Sequence, residues 1–199
     1  MRIIPHEQRT EGWYEARRGV PTASNFSKLI TSTGKRAASA DAYIDELVAE
    51  KITGESKFIP TTAAMQHGID TEPEARDLYS FLREVEVTEI GLCLHDLIDA
   101  GASPDGLVGD DGLLEVKCPQ PHTMVKYLRE NRLPPEYRAQ VMGQLWICER
   151  QWCDFLAYHD KMKPLLIRVE RDEEFISALA GIVTKAVESI DANFNQLRK

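Results

Sequence analysis

Residues 103–119, SPDGLVGDDGLLEVKCP, decide how the rest of the chain is interpreted. Asp105 follows a proline, Glu115 lies ten residues later, and Lys117 follows Glu115 by two residues. Carboxylate oxygens are the ligands that Mg²⁺ prefers, and a neighbouring ammonium group can orient or help deprotonate an attacking water. The order Pro-Asp, spacer, Glu-x-Lys therefore predicts a site for metal-dependent cleavage of phosphodiesters.

The same stretch predicts a β-hairpin, with the turn at Gly-Asp-Asp-Gly, residues 109–112. On a strand, Glu115 and Lys117 share one face, and Val116 points into the core with its backbone carbonyl free to bind a metal. Leu113, Leu114 and Val116 make this strand apolar, so a Glu and a Lys on it are unfavourable unless they are paired or metal-bound. The alternative is a chance pattern whose charged residues only solvate a hairpin edge.

Length and composition predict one α/β unit: 199 residues with 43% hydrophobic and 28% charged residues are ordinary for a globular protein. We expect a single nuclease domain over 1–199, with an N-terminal helical part at about 1–65, a catalytic core at about 66–170 and a C-terminal helix at about 172–197. No apolar run approaches the roughly 20 residues of a membrane span. The first residues lack a secretion signal, so we expect a cytoplasmic protein.

The net charge of -8 argues against a protein that coats nucleic acid through a general basic surface. It is compatible with a nuclease, because metal-binding carboxylates add negative charge at the site itself. DNA contact would then depend on a local basic surface, for which the candidates are Arg17, Arg18, Lys28, Lys35 and Arg36.

Hydrophobic periodicity and turn residues predict the secondary structure. The predicted helices are 23–30, one from Ser39 or Asp41 to near Gly54, one capped by Thr71 with Glu74 completing a capping box, 137–148, and about 173–197. The predicted strands are 85–93, 98–107 and 113–117, which form the central sheet, followed by 152–158 and 165–170.

Six motifs in order resemble the lambda exonuclease-type (YqaJ-like) viral recombinases, which are alkaline exonucleases of phages. The motifs are Trp13 with Arg17-Arg18-Gly19, then Thr22-Ala23-Ser24, Gly68 with Glu72 and Ala75-Arg76, SPDG, LEVKCP, and Tyr137 with Gln140 before Trp146. The resemblance implies an α/β fold with a restriction-endonuclease-like PD-(D/E)xK core, in which helices flank a central mixed β-sheet.

The resemblance also implies an activity. It is Mg²⁺-dependent 5′-to-3′ degradation of one strand of linear double-stranded DNA to mononucleotides, leaving a 3′ overhang for single-strand-annealing recombination. Two Mg²⁺ ions per active site are implied, with Mn²⁺ as a substitute. Members of this family resemble one another in forming a homotrimeric ring and acting with a single-strand annealing protein, which here implies a phage or prophage protein in a bacterial host.

Residue by residue, the resemblance makes Asp105 and Glu115 the metal-bridging carboxylates, the Val116 carbonyl a further ligand and Glu72 the outer ligand of the second metal. Lys117 would act on the attacking water. Gln140 matches the family's helix glutamine near the metals, and Tyr137 precedes it by about one helical turn as an accessory candidate. The alternative for both is an ordinary helix face.

Arg17, Ser24 and Ser103 match the family positions that bind the 5′-phosphate of the DNA end. A guanidinium group binds phosphate oxygens in a bidentate manner, and hydroxyl groups complete the pocket. The alternative for Ser24 is a helix cap. A further basic ligand is expected soon after LEVKCP, but residues 120–123 are Gln-Pro-His-Thr, so His122 or Lys126 would have to substitute and the grip on phosphate would weaken.

Three other functions are considered on the same residues. A sequence-specific endonuclease shares the PD-(D/E)xK core. An iron–sulfur exonuclease is disfavoured, because such enzymes cluster three cysteines near the C-terminus, whereas Cys93, Cys118, Cys148 and Cys153 form no CxxC pair and none follows Cys153. A non-catalytic DNA-end-binding module is disfavoured because the Asp, Glu and Lys of the cleavage motif are intact.

Overall fold

The computed structural model, which describes residues 1–56 and 60–198, contains both helices and strands. The α-helices are α1 Glu11–Arg17, α2 Ala40–Thr53, α3 Ala63–Arg83, α4 Pro121–Glu130, α5 Arg138–Ile147 and α6 Glu173–Leu197, with 3₁₀ helices at Ala23–Lys28 and Pro135–Tyr137. The strands are β1 Arg2–Ile4, β2 Val87–Thr88, β3 Leu92–Leu94, β4 Gly101–Ala102, β5 Gly106–Val108, β6 Gly112–Lys117, β7 Trp152–Ala157 and β8 Leu165–Glu170.

A five-stranded mixed sheet in the order β2-β5-β6-β7-β8 forms the centre of the molecule. Only β6 and β7 pair in parallel in this sheet, because α4 and α5 form the crossover connection between them. A second, antiparallel sheet of order β1-β3-β4 lies beside it. The predicted α/β class, with a mixed sheet flanked by helices, is confirmed.

The predicted strands 85–93 and 98–107 are wrong as continuous elements, because each is divided between the two sheets. Gly91 marks the first break. A Cβ at this position would lie 1.8 Å from the His6 carbonyl oxygen, so the backbone passes the N-terminal segment at a distance that leaves no room for a side chain. Pro104 marks the second break, since proline has no N–H for a ladder hydrogen bond. The predicted single central sheet thus becomes two.

The β5–β6 hairpin is confirmed, with Val108 opposite Gly112 and Gly109 in the left-handed region at φ 54°. The two faces of β6 pack against different groups of side chains. Leu113 belongs to the main core with α2, α5 and α6, whereas Leu114 and Val116 pack with Ala75 and Tyr79 of α3. Glu115 and Lys117 therefore share one face, as predicted, and Leu113 lies on that face too.

Two helices have the predicted bounds. Helix α2 ends next to Gly54, whose φ of 70° suits glycine, and α6 spans Glu173–Leu197; its cap, Asp172, which the sequence analysis did not identify, accepts a hydrogen bond from Phe175 N at 3.0 Å. The predicted helices 23–30 and 137–148 are confirmed in position, although the first is a 3₁₀ helix and the second begins as one. In the described part of the chain, no helix is long and apolar enough to cross a membrane.

The predicted helix start at Thr71 is wrong. Helix α3 begins at Ala63, where the Thr62 hydroxyl accepts a hydrogen bond from Met65 N at 3.2 Å, and it continues through Pro73. Glu74 does not form a capping box but accepts a hydrogen bond from the Tyr158 hydroxyl at 2.6 Å. The first half of α3 is mostly exposed, so it lacks the apolar spacing from which its start could be predicted.

A buried carboxylate holds α3 to the sheet on the face opposite Glu115. Asp154 on β7 is fully buried, and Arg168 of β8 binds it with two hydrogen bonds of 2.6 and 2.9 Å. The Tyr79 hydroxyl donates to the same carboxylate at 2.9 Å, and desolvation with this bond raises the pKa of Tyr79. The network fixes the end of α3, and hence its position beside β6.

Replacing Arg168 with Met should lower the free energy of unfolding by about 3 kcal/mol, because the buried Asp154 would lose its bidentate partner and keep only Arg83, whose Nε lies 3.6 Å away. Urea denaturation measures the change. The matched control is Arg36→Met, which removes a bidentate pair with the exposed Asp41 and should cost much less, because solvent screens an exposed ion pair. Equal losses in the two variants would contradict the role given to Asp154.

Candidate active site

Glu115 lies at the centre of the candidate site, with only 1% of its surface exposed. Its carboxylate accepts hydrogen bonds from Lys117 Nζ, from Gln140 Nε2 at 2.6 Å and from Gln144 Nε2 at 2.5 Å. The two glutamines are four residues apart on α5, so they project from the same helix face. The structure thus places Gln140 beside Glu115, as predicted, and adds Gln144 as a second donor.

Asp105 lies where β5 separates from β6. Its backbone N–H donates to the Leu114 carbonyl at 3.1 Å, and its Oδ2 accepts a hydrogen bond from Val116 N at 2.6 Å. In a strand, the N–H and C=O of one residue point to the same edge, so the Val116 carbonyl is directed toward Asp105. Burial, together with the negative charge of Glu115, raises the pKa of Asp105 well above its ordinary value.

Glu72 reaches the same region from the middle of α3. Arg76, one turn later, donates to its carboxylate at 3.0 Å and to the Asp105 backbone carbonyl at 3.4 Å, and also pairs with Glu89 at 2.9 Å. Arg9 of the N-terminal loop forms a second ion pair with Glu72. Glu72 and Asp105 both line a cavity of about 590 Å³.

Lys117 is the cation nearest to Glu115. Burial alone would lower the pKa of Lys117, but Glu115 and Asp105 outweigh that effect and raise it. The Tyr137 ring lies 5.2 Å from Lys117 Nζ and accepts a cation–π interaction, so this accessory candidate is next to the site. A positively charged Lys117 is therefore held between two carboxylates and an aromatic ring.

The donor atoms fit a hard cation such as Mg²⁺. Asp105, Glu115, Glu72 and the Val116 carbonyl offer oxygen ligands only, which is the ligand class that Mg²⁺ prefers. Nevertheless, within residues 1–56 and 60–198 no three His, Cys, Asp or Glu side chains converge into a ready metal cluster. Each carboxylate is instead bound by arginine, lysine, glutamine or a backbone N–H, since like charges at close range must be neutralised.

A second polar group of residues surrounds the Arg17 guanidinium. It donates to Ser103 Oγ at 3.1 Å, to Thr22 Oγ1 at 3.1 Å and to Ser24 Oγ at 3.4 Å, and it stacks 4.1 Å from the Trp13 ring centre. Burial lowers the pKa of Arg17 to about 10. Arg17 forms no ion pair with a carboxylate in the described ranges, so its partners are hydroxyl groups that a phosphate could share.

Ser103 connects the two groups of residues. Its hydroxyl accepts hydrogen bonds from Arg17 and from Trp13 Nε1 at 3.2 Å, and it precedes Asp105 by two residues. The three predicted phosphate residues, Arg17, Ser24 and Ser103, are therefore brought together at one end of the carboxylate site. Thr22 also contacts Arg17, and it could have been identified from the sequence because it belongs to the Thr-Ala-Ser motif.

Not every candidate is part of these groups. His122 and Lys126 are exposed on α4, and no contact links either side chain to Arg17 in the described structure. The four cysteines are free thiols. Cys93, Cys148 and Cys153 are buried, and burial raises the pKa of Cys118, next to Lys117, to about 11. In the described structure, His122 and Lys126 therefore supply no basic partner to the phosphate pocket.

Two site residues had no interpretation from the sequence. Gln144 could have been found from its spacing of four residues after Gln140, which repeats the helix face. Arg9 could not, because it lies in a loop far from Glu72 in sequence and has no motif around it.

Comparison with known proteins places this geometry in a family. Residues 12–151 match the model of the YqaJ-like viral recombinase domain. The chain is 37% identical to an alkaline exonuclease from Laribacter hongkongensis, LHK-Exo, with a TM-score of 0.87 over 95% of this chain and 96% of that chain; LHK-Exo is also solved in complex with dAMP. No curated protein sequence matches.

A phage-related exonuclease from Haemophilus somnus shares the fold, with a TM-score of 0.67 and 15% identity over 89% of this chain and 96% of that chain. The fold is that of the PD-(D/E)xK nucleases, in agreement with the arrangement of Asp105, Glu115 and Lys117. The matched segment covers most of the chain, including both polar groups. The protein therefore belongs to the YqaJ-like viral recombinase family.

Proposed function

We propose that this protein is a Mg²⁺-dependent exonuclease that degrades the 5′-ended strand of linear double-stranded DNA and leaves a 3′ overhang. One observation carries the proposal: Ser103, two residues before Asp105 of the Asp105, Glu115 and Lys117 cluster, accepts a hydrogen bond from the half-buried Arg17, which forms no ion pair with a carboxylate within residues 1–56 and 60–198. Family membership and the likeness to an alkaline exonuclease support nuclease activity. The polarity rests on the Arg17 pocket.

The residues of the chain divide the chemistry between them. When bound, two Mg²⁺ ions held by Asp105, Glu115, Glu72 and the Val116 carbonyl would activate a water and stabilise the negative charge of the in-line displacement. Lys117 donates a hydrogen bond that orients the attacking water toward the phosphate. Gln140 and Gln144 donate hydrogen bonds to the Glu115 carboxylate and would hold it in place for metal binding.

Arg17 gives the enzyme its direction. A 5′-phosphate that displaces the Arg17 hydrogen bonds to Ser24 and Thr22 would place the first internucleotide linkage near Asp105, because Ser103 adjoins both. Each cut then leaves a new 5′-phosphate and releases one mononucleotide. The complex of LHK-Exo with dAMP, a nucleoside monophosphate, supports this class of product.

The assembly and partners extend the same proposal. A homotrimeric ring would keep the enzyme on the duplex between cuts, and a single-strand annealing protein would take up the exposed 3′ strand. Such a protein would work as a single nuclease domain in the cytoplasm of a bacterial host. These statements rest on the family to which the chain belongs.

An end-labelled duplex assay in Mg²⁺ tests the proposed function. We expect the 5′ label to be released as mononucleotide while the 3′ label stays on a shortening duplex, and we expect covalently closed circles to remain intact. An endonuclease with the same fold would instead cut the circles. Release of the 3′ label first would refute the proposed polarity.

Asp105→Asn should lower the rate of nucleotide release by about 1,000-fold or more, equivalent to ~4 kcal/mol of transition-state stabilisation, because a bridging carboxylate is lost. Binding to linear duplex in Ca²⁺, which supports little cleavage, should persist. Release of acid-soluble nucleotide measures the first effect and filter binding the second. Nucleotide release equal to that of the wild type would exclude the catalytic role.

Gln144→Met should raise the Mg²⁺ concentration for half-maximal rate by about 10-fold, because Glu115 loses a buried donor that orients it. A Mg²⁺ titration of the initial rate provides the measurement. Gln196→Met, at an exposed position near the end of α6, is the matched control and should leave the titration unchanged. An unchanged midpoint for Gln144→Met would show that the donor has no influence on metal binding.

Arg17→Ala should abolish the preference for a 5′-phosphoryl over a 5′-hydroxyl end, which we expect to be about 10-fold in the initial rate of the wild type. Paired duplexes that differ only in this end group give the ratio. The neighbouring Arg18→Ala is the control and should retain the preference. A ratio that survives in Arg17→Ala would assign the phosphate to other residues.

A further inference from the structure

Arg9 is the one arginine of the N-terminal loop that enters the candidate active site. Its backbone is in the left-handed region at φ 69°, a conformation that favours glycine, and this turns the side chain onto the Glu72 carboxylate. Gln8 fixes the loop by donating to the Ile90 and Pro104 carbonyls, each at 3.0 Å. An unfavourable backbone angle held by neighbouring anchors is typical of a residue whose side chain has a function.

Glu72 is bound by two arginines that differ in their freedom to move. Arg76 is 12% exposed and is tied to Glu89 and to the Asp105 carbonyl as well as to Glu72. Arg9 is 40% exposed, and its guanidinium pairs with Glu72. Among residues 1–56 and 60–198, Arg9 can therefore leave Glu72 without breaking another side-chain hydrogen bond or ion pair.

The place to which Arg9 could turn is the cavity of about 590 Å³ beside it. Residues of the N-terminal loop line one side of this cavity, and Glu72, Arg76 and Asp105 line the other. A cavity bounded by the candidate metal carboxylates can receive the DNA strand that is cut, whose phosphates need a cationic partner. A guanidinium group at its rim can supply that partner.

We propose that Arg9 exchanges partners during the reaction: it pairs with Glu72 in the DNA-free protein and binds a backbone phosphate of the cut strand when Glu72 binds a metal. The inference rests on the proposed nuclease function and adds a DNA contact to it. It also makes Arg9 a competitor of the divalent cation. Loss of Arg9 therefore has opposite effects on the two ligands.

The test is Arg9→Gln, measured in two binding assays that do not depend on cleavage. Calorimetric titration with Mn²⁺, without DNA, should show roughly 3- to 10-fold tighter binding than in the wild type, because the competing ion pair is removed. Binding to a 5′-phosphoryl duplex in Ca²⁺ should weaken by about 5- to 10-fold. The slope of log K against log salt should become smaller by about 0.9, as expected for one lost phosphate contact.

Two further variants give the comparison its controls. Arg132→Gln also removes one exposed arginine, which pairs with Glu130 away from the candidate site, and should leave Mn²⁺ affinity unchanged. Arg9→Lys keeps a cation and should retain the wild-type salt slope, so it tests the phosphate contact even if Arg9→Gln is poorly folded.

Unchanged or weaker Mn²⁺ binding by Arg9→Gln would overturn the exchange, and so would an unchanged salt slope. Failure of the wild type to release nucleotides, with both binding effects present, would refute the nuclease proposal and leave the exchange standing. Normal nucleotide release by the wild type without the binding effects would refute only the exchange.

Discussion

The structure depends on the burial of the Glu115 carboxylate within an apolar strand. A buried negative charge is unfavourable unless it is fully hydrogen-bonded and paired, and here Lys117, Gln140 and Gln144 supply those partners. These partners require α5 to cross the sheet at β6 with one glutamine-bearing face turned inward. The parallel pairing of β6 with β7 follows, because α5 belongs to the connection between those strands.

The opposite face of β6 explains how the other carboxylates reach Glu115. Val116 and Leu114 pack against Tyr79 of α3, whose hydroxyl donates a hydrogen bond to the buried Asp154. That packing brings Glu72, two turns earlier on α3, to the edge where Asp105 leaves the sheet. The short distance along the chain from Asp105 to Ser103 then sets the Arg17 pocket beside these carboxylates, so one local segment connects the two groups of residues to which the proposed function assigns end binding and cleavage.

Much of this arrangement could be predicted from local sequence. The hairpin, the shared face of Glu115 and Lys117, the opposite orientation of Val116 and the bounds of α6 follow from side-chain period and turn residues, which act over a few residues. The grouping of Arg17, Ser24 and Ser103 followed from family resemblance, since nothing in their spacing brings them together. The prediction of continuous strands between residues 85 and 107 was wrong. Gly91 lies against the distant His6 carbonyl, a tertiary contact that leaves no local pattern, whereas the break at Pro104 comes from the missing proline N–H. Two further features could not be predicted from local sequence. The contact of Arg9 with Glu72 is tertiary, and the first turns of α3 are exposed, so neither leaves a periodic hydrophobic pattern.

The central claim is that the buried Glu115 network holds a divalent cation, and thermal unfolding with and without Ca²⁺ tests it most directly. Ligands that bind only the folded state raise the melting temperature, so Ca²⁺ at about 100 times its Kd should stabilise the wild type by about 2.7 kcal/mol. Glu115→Gln has nearly the same shape and should gain little or nothing from Ca²⁺. An equal rise in melting temperature for the wild type and Glu115→Gln would contradict the account, because the cation would then bind elsewhere.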